Sequence, residues 1–155
     1  MTSTLPMMKN LLTLVLAASV TTVALAQTQT ARSAAAAPKV QALAQGTWVL
    51  TTANGDDLAA AGAPEITVTS TGDKYVQTTG GNVVERGSFK IDETKKPMTI
   101  DLLISEGDAA GKTQLGVIEV TETTMRGNLN TAGETARPKD FSPVDGYFAF
   151  TAKKK

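Results

Sequence analysis

Met98-Thr99-Ile100-Asp101-Leu102-Leu103-Ile104-Ser105 is the stretch that decides the fold. Met98, Ile100, Leu102 and Ile104 recur at every second position, with Thr99, Asp101 and Leu103 between them. An extended chain turns alternate side chains to opposite faces, so one face here is apolar and the other mostly wet, as in a half-buried β-strand. Moving outward, runs of the same kind occupy 47–53, 65–70, 74–79, 82–91, 113–121, 124–130 and 147–153, which with 98–105 makes eight. Threonine is abundant in them, as suits a pleated surface. No window after Gly46 keeps a 3.6-residue period. The connections Gly72-Asp73, Gly80-Gly81 and Glu122-Thr123 are too short for a parallel crossover, so consecutive strands are antiparallel neighbours. A meander of this many strands removes its exposed edges by closing, which predicts an all-β, up-and-down, eight-stranded antiparallel barrel. Gly87, Gly116 and Gly127, inside strands, are expected to mark bulges or bends.

Upstream the chain reads differently. Lys9 precedes an apolar run over 11–18, and Ala24-Leu25-Ala26 places small residues where a signal peptidase reads them. Residues 1–26 are therefore expected to be a secretory signal peptide cleaved after Ala26. The run is well short of the ~20 apolar residues that span a bilayer, so no membrane span is expected in the mature chain. Residues 27–41, rich in Ala, Thr and Gln, read as a flexible lead-in, because Ala34 to Ala37 are too few to nucleate a helix alone. The barrel domain is placed at 42–155. Export implies a periplasmic, cell-envelope or extracellular destination.

Composition narrows the chemistry. The 155 residues include no histidine and no cysteine, which excludes Ser-His-Asp and Cys-His nucleophilic units, thiol redox motifs, disulfides and zinc sites of nitrogen and sulfur ligands. Fifteen basic against 15 acidic side chains leave no net charge and no basic face for nucleic acid. The adjacent acids Asp56-Asp57 and Asp92-Glu93, and Glu106 with Asp108, read as turn chemistry, since catalytic or calcium-binding carboxylates must converge from several directions. The reading is of a non-enzyme with no cofactor and no metal.

Several segments together resemble a known family: Gln45-Gly46-Thr47-Trp48, Gly72-Asp73-Lys74-Tyr75, Gly87-Ser88-Phe89-Lys90, Pro97-Met98-Thr99-Ile100-Asp101-Leu102, Gly111-Lys112-Thr113-Gln114-Leu115-Gly116 and Arg137-Pro138-Lys139-Asp140-Phe141. In order and spacing they are similar to small secreted domains found mainly in planctomycete bacteria and described as lipocalin-like. Gly46-Thr47-Trp48 itself resembles the Gly-x-Trp signature of lipocalins and related calycin barrels. Arg126-Gly127-Asn128 departs from the pattern, standing where a more apolar stretch is expected. The resemblance implies a lipocalin-like barrel and carries no assigned activity. It also implies that Trp48 closes the barrel floor beneath a basic side chain of the last strand, for which Lys154, in phase with Phe148, Phe150 and Ala152, is the candidate.

In such a barrel the long loops 54–64 and 131–146 share one rim, taken as the mouth. Loops at that end carry Asp56, Asp57, Glu106, Asp108, Glu134 and Asp140 against Lys112, Arg137 and Lys139, so the mouth is expected to be acidic. A small apolar ligand would lie among Leu50, Ile66, Val68, Phe89, Ile100, Leu102, Phe148 and Phe150, with Arg137 and Phe141 gripping it from the mouth, unless Phe141 corks the barrel. The alternative function is a non-catalytic protein-interaction module of the cell envelope with a filled barrel. A cavity favours the first, a filled interior the second.

Overall fold

The computed structural model describes residues 39–155. The expected signal peptide and all but the last residues of the expected lead-in lie outside the described residues. Ten elements follow: α1 (Lys39–Leu43), β1 (Gly46–Ala53), β2 (Asp56–Asp57), β3 (Ile66–Thr71), β4 (Lys74–Thr79), β5 (Asn82–Asp92), β6 (Met98–Glu106), β7 (Thr113–Val120), β8 (Thr124–Asn130) and β9 (Tyr147–Lys154). Every long strand pairs antiparallel with its sequence neighbour, and β9 returns to β1, with Trp48 opposite Lys154 and Leu50 opposite Ala152. The result is a closed eight-stranded up-and-down barrel, as expected. The two-residue β2 is an addition folded back on β1.

Alternation along each strand sends one set of side chains inward. Trp48 and Leu50, Tyr75, Phe89 and Ile91, Ile100, Ile118, Met125 and Ala152 form one buried cluster. Threonines populate the outer wall and bond across strands: Thr67 to Thr78 at 2.6 Å, Thr47 to Thr69 at 3.0 Å and Thr51 to Thr151 at 2.8 Å. Closure needs sharp places. Register shifts fall at Leu50/Thr52, Gln77/Thr78 and Arg86/Gly87. Gly80 and Gly81, both at positive φ, make the two-residue turn that joins β4 to β5.

Gly87 sits at a register shift, as expected, and it has a second role. A Cβ there would meet Leu103 O, and would lie 2.7 Å from Tyr75 Cε1, so the bare backbone lets the tyrosine ring cross it. Gly116 and Gly127 carry no bulge. Their pairings run without a shift, and what they provide is room for Leu129 and Phe150 on the neighbouring strands. In Arg126-Gly127-Asn128 the two polar side chains point outward, and only Gly127 faces the interior.

The lead-in is corrected at its end. Residues 39–41 open α1, a single turn too short to persist alone. Tertiary contacts hold it. Glu93 Oε1 accepts from the Val40 N–H at 2.7 Å, Val40 and Leu43 pack on the core, and Gln45 both donates to Gly72 O (3.0 Å) and accepts from Gly72 N–H (2.6 Å). The helix thereby closes one end of the barrel, against the β3–β4 turn. Among the described residues, no helix is long and apolar enough to cross a membrane.

Candidate functional site

The floor is built around Trp48, which is fully buried. Its indole Nε1 donates to Ala44 O at 2.9 Å, just beyond α1, and Lys154 Nζ stands 5.2 Å from the ring centroid while reaching Leu43 O at 3.4 Å. The implied floor arrangement of Trp48 and Lys154 is present.

Above that floor the barrel is hollow. A cavity of about 290 Å³ runs between Ala44 and Trp48 at one end and Glu85 at the other. Of the expected ligand residues, Leu50, Phe89, Ile100, Leu102, Phe148 and Phe150 line it, as does Val68, whereas Ile66 packs on the core without lining it. Phe148 and Phe150 stack with centroids 5.9 Å apart. The volume is at the lower end of small-molecule pockets.

Arg137 and Phe141 are corrected: neither lines the cavity. Their loop turns outward and crosses the outer wall of β6, β7 and β8. Arg137 donates through Nη1 to Ile100 O (2.9 Å) and Gly116 O (2.7 Å), and through Nη2 to Asp101 Oδ1 (2.6 Å). Pro138 is buried beneath the crossing, Asn128 Nδ2 donates to Asp140 O and Ser142 O at 3.0 Å each, and the Arg126 guanidinium lies 4.3 Å from the Phe141 ring centroid. A guanidinium has five donors to satisfy, and paired carbonyls beside a carboxylate on a strand face satisfy more of them than an apolar mouth would. Asp101, on the wet face as expected, is thus the anchor of this strap. Neither loop 54–64 nor loop 131–146 contributes to the cavity lining, and the strap carries Arg137 and Asp140 off the rim.

Of the acids expected to serve turns, Asp57 and Asp92 do so, whereas Glu93 accepts from the Val40 N–H and Glu106 pairs with Arg86. Asp57 Oδ1 accepts from the Ala60 N–H (2.8 Å), and Asp92 Oδ1 accepts from both Thr94 Oγ1 (2.6 Å) and Thr94 N–H (2.9 Å). The Thr94 side-chain bond, then its backbone bond, hold the Asp92 carboxyl below the usual range, and Ser142 does the same to Asp140. Among the described residues no group of three or more acids converges on a metal-sized point.

The lining also has a polar part that the expected ligand residues do not include. Ser70, Tyr75, Gln77, Glu85 and Gln114 all face the cavity. Alternation contained the signal, since Glu85 is in phase with Gly87, Phe89 and Ile91, and Gln114 with Gly116 and Ile118. Tyr75 is buried and its hydroxyl donates to Glu85 Oε1 at 2.8 Å. Burial, then the hydrogen bond and charge of Glu85, push the phenol well above its ordinary range, so Tyr75 remains a donor. Gln114 Nε2 donates to Asn130 O at 2.7 Å. The lining includes one carboxylate and neither lysine nor arginine. The chain matches no protein-family model, no curated protein and no solved structure.

Proposed function

We propose that the protein is an exported, non-catalytic, lipocalin-like carrier that holds one small, largely apolar molecule inside its barrel. The observation that supports this most is the cavity of about 290 Å³, walled mainly by aliphatic and aromatic side chains with a few polar groups among them. Eight-stranded barrels lie at the size where side chains either fill the interior or leave room for one small ligand, and this interior leaves room. A cavity of ~150 Å³ lined by Leu, Ile and Phe encloses benzene, so twice that volume suits about a dozen non-hydrogen atoms. The floor made by Trp48 and Lys154 supports the lipocalin resemblance. The Lys9, apolar-run and Ala24-Leu25-Ala26 pattern supports export. A filled-barrel interaction module would not need such a space.

The test is an amide-resolved NMR titration with a panel of apolar molecules of that size. Saturable shifts concentrated at Leu50, Phe89, Ile100, Leu102, Phe148 and Phe150 are expected. Shifts confined to the outer wall would reject the carrier reading. Export is tested separately by mass spectrometry of the secreted chain, which should begin at Gln27.

A further inference from the structure

The cavity has a direction. Its closed end is mainly apolar, with Trp48, Ile91, Met125 and Ala152 around the floor and the Ser70 hydroxyl, which carries no charge, beside them. Glu85 belongs to the opposite end, the fourth residue of β5 from the hairpin side, where a Cβ on Gly107 of the β6–β7 loop would lie 3.5 Å from Glu85 Cγ. The carboxylate is half-buried and lines the cavity. One oxygen accepts from Tyr75, and among the described residues no other donor bonds to Glu85.

The remaining polar lining is also poor in free donors of positive charge. Gln77 stands opposite Glu85 in the β4–β5 register, and the Gln114 amide nitrogen is already occupied by Asn130 O. Two arginines are engaged on the outer wall of the barrel. Arg86 pairs with Glu106 at 2.9 Å on the outer face, and Arg137 is held on the outer wall by Asp101. A partly buried carboxylate with a spare oxygen, no cationic partner in its own cavity, and aromatic rings below it is complementary to a protonated amine.

We propose that the ligand is a small amphiphilic organic amine, bound with its ammonium on Glu85 near the mouth and its apolar body toward Trp48. This rests on the small-molecule reading above and specifies the chemistry of the polar end. The ammonium donates to the spare Glu85 oxygen, while Tyr75 keeps the other oxygen in place. The ligand carries the counter-charge that the barrel lacks. A carboxylic acid of the same shape would set two carboxylates against each other in a space where water screens them poorly.

The test compares phenylbutylamine, phenylbutanol and phenylbutyrate by calorimetry on the wild type, Glu85→Gln and Tyr75→Phe. The amine should bind the wild type about tenfold more tightly than the alcohol, a factor within reach of one charge-assisted hydrogen bond. The acid should bind weakest. Glu85→Gln should bring the amine down to the alcohol's affinity and leave the alcohol unchanged, which also shows that the variant is folded. Tyr75→Phe keeps the carboxylate and should keep the amine preference. An alcohol that binds the wild type as well as the amine, or an amine preference that survives Glu85→Gln, overturns the amine assignment and leaves the carrier reading standing. Failure of all three to bind overturns both.

Discussion

Removing the indole at the barrel floor, Trp48→Ala, should be among the most damaging single changes in this chain. Trp48 has no solvent exposure. Large aromatics bury about 150–250 Å², and at about 25 cal/mol per Å² this corresponds to roughly 4–6 kcal/mol as an upper bound. Alanine recovers part of that area, whereas loss of the Nε1 bond to Ala44 O adds about 1 kcal/mol. The net expectation is about 3–5 kcal/mol, the usual range for emptying a buried large aromatic. Because α1 packs through its own Val40 and Leu43 on the core that contains this ring, the helix should fray first. The chain has a single tryptophan, so the variant has no indole emission and the assay is denaturant unfolding followed by far-ultraviolet circular dichroism. Lys154→Met is the companion variant. Its ammonium is exposed and its ring contact long, so it should cost no more than about 1 kcal/mol. A loss below about 1 kcal/mol for Trp48→Ala would mean that the indole does not close the barrel.

Other consequences are as specific. Arg137→Met should cost about 2–3 kcal/mol by releasing three charge-assisted bonds, and should raise amide exchange over 136–142; ligand affinity should not change, because Arg137 lies outside the cavity. Gly87→Ala should cost at least about 1–3 kcal/mol by driving a methyl against Leu103 O of β6 and the Tyr75 ring, read as a shift in denaturation midpoint. Tyr75 has a raised pKa in the folded state, so its contribution is complete below the unfolded value near 10 and is lost as pH rises above it. The stability difference between wild type and Tyr75→Phe should therefore shrink above about pH 10; a difference that grows there would contradict the buried phenol.

Most of the barrel is legible because period-two alternation and short glycine turns are local signals. The eight long strands coincide with the expected runs to within a residue at either end. What the local pattern does not carry is how a loop packs. Arg137-Pro138-Lys139-Asp140-Phe141 offers an aromatic beside cations, the composition of a binding lip, and nothing local says that its arginine finds two strand carbonyls and Asp101 on the outer wall. The lead-in shows the same limit: α1 is held by groups distant in sequence, Glu93 accepting from the Val40 N–H and Gly72 bonding the side chains of Gln41 and Gln45. Two features were readable and were passed over. Asn54-Gly55 is a strong hairpin signal, and it makes the β1–β2 turn, with Asn54 at φ 50°. Glu85 was in inward phase all along, and an apolar expectation for the lining hid it.

The proposed ligand site is the barrel interior. Val68→Phe places an extra ring against that space, and the emission of Trp48, the single tryptophan on the cavity floor, reports its occupation. The measurement is a titration of wild type and Val68→Phe with phenylbutanol, followed by Trp48 emission. A saturable change is expected in the wild type and at least a tenfold weaker response in the variant, whose stability should stay within about 1 kcal/mol because the ring enters a void and not a packed core. Equal affinity in the two proteins would place the ligand outside the barrel and contradict this assignment.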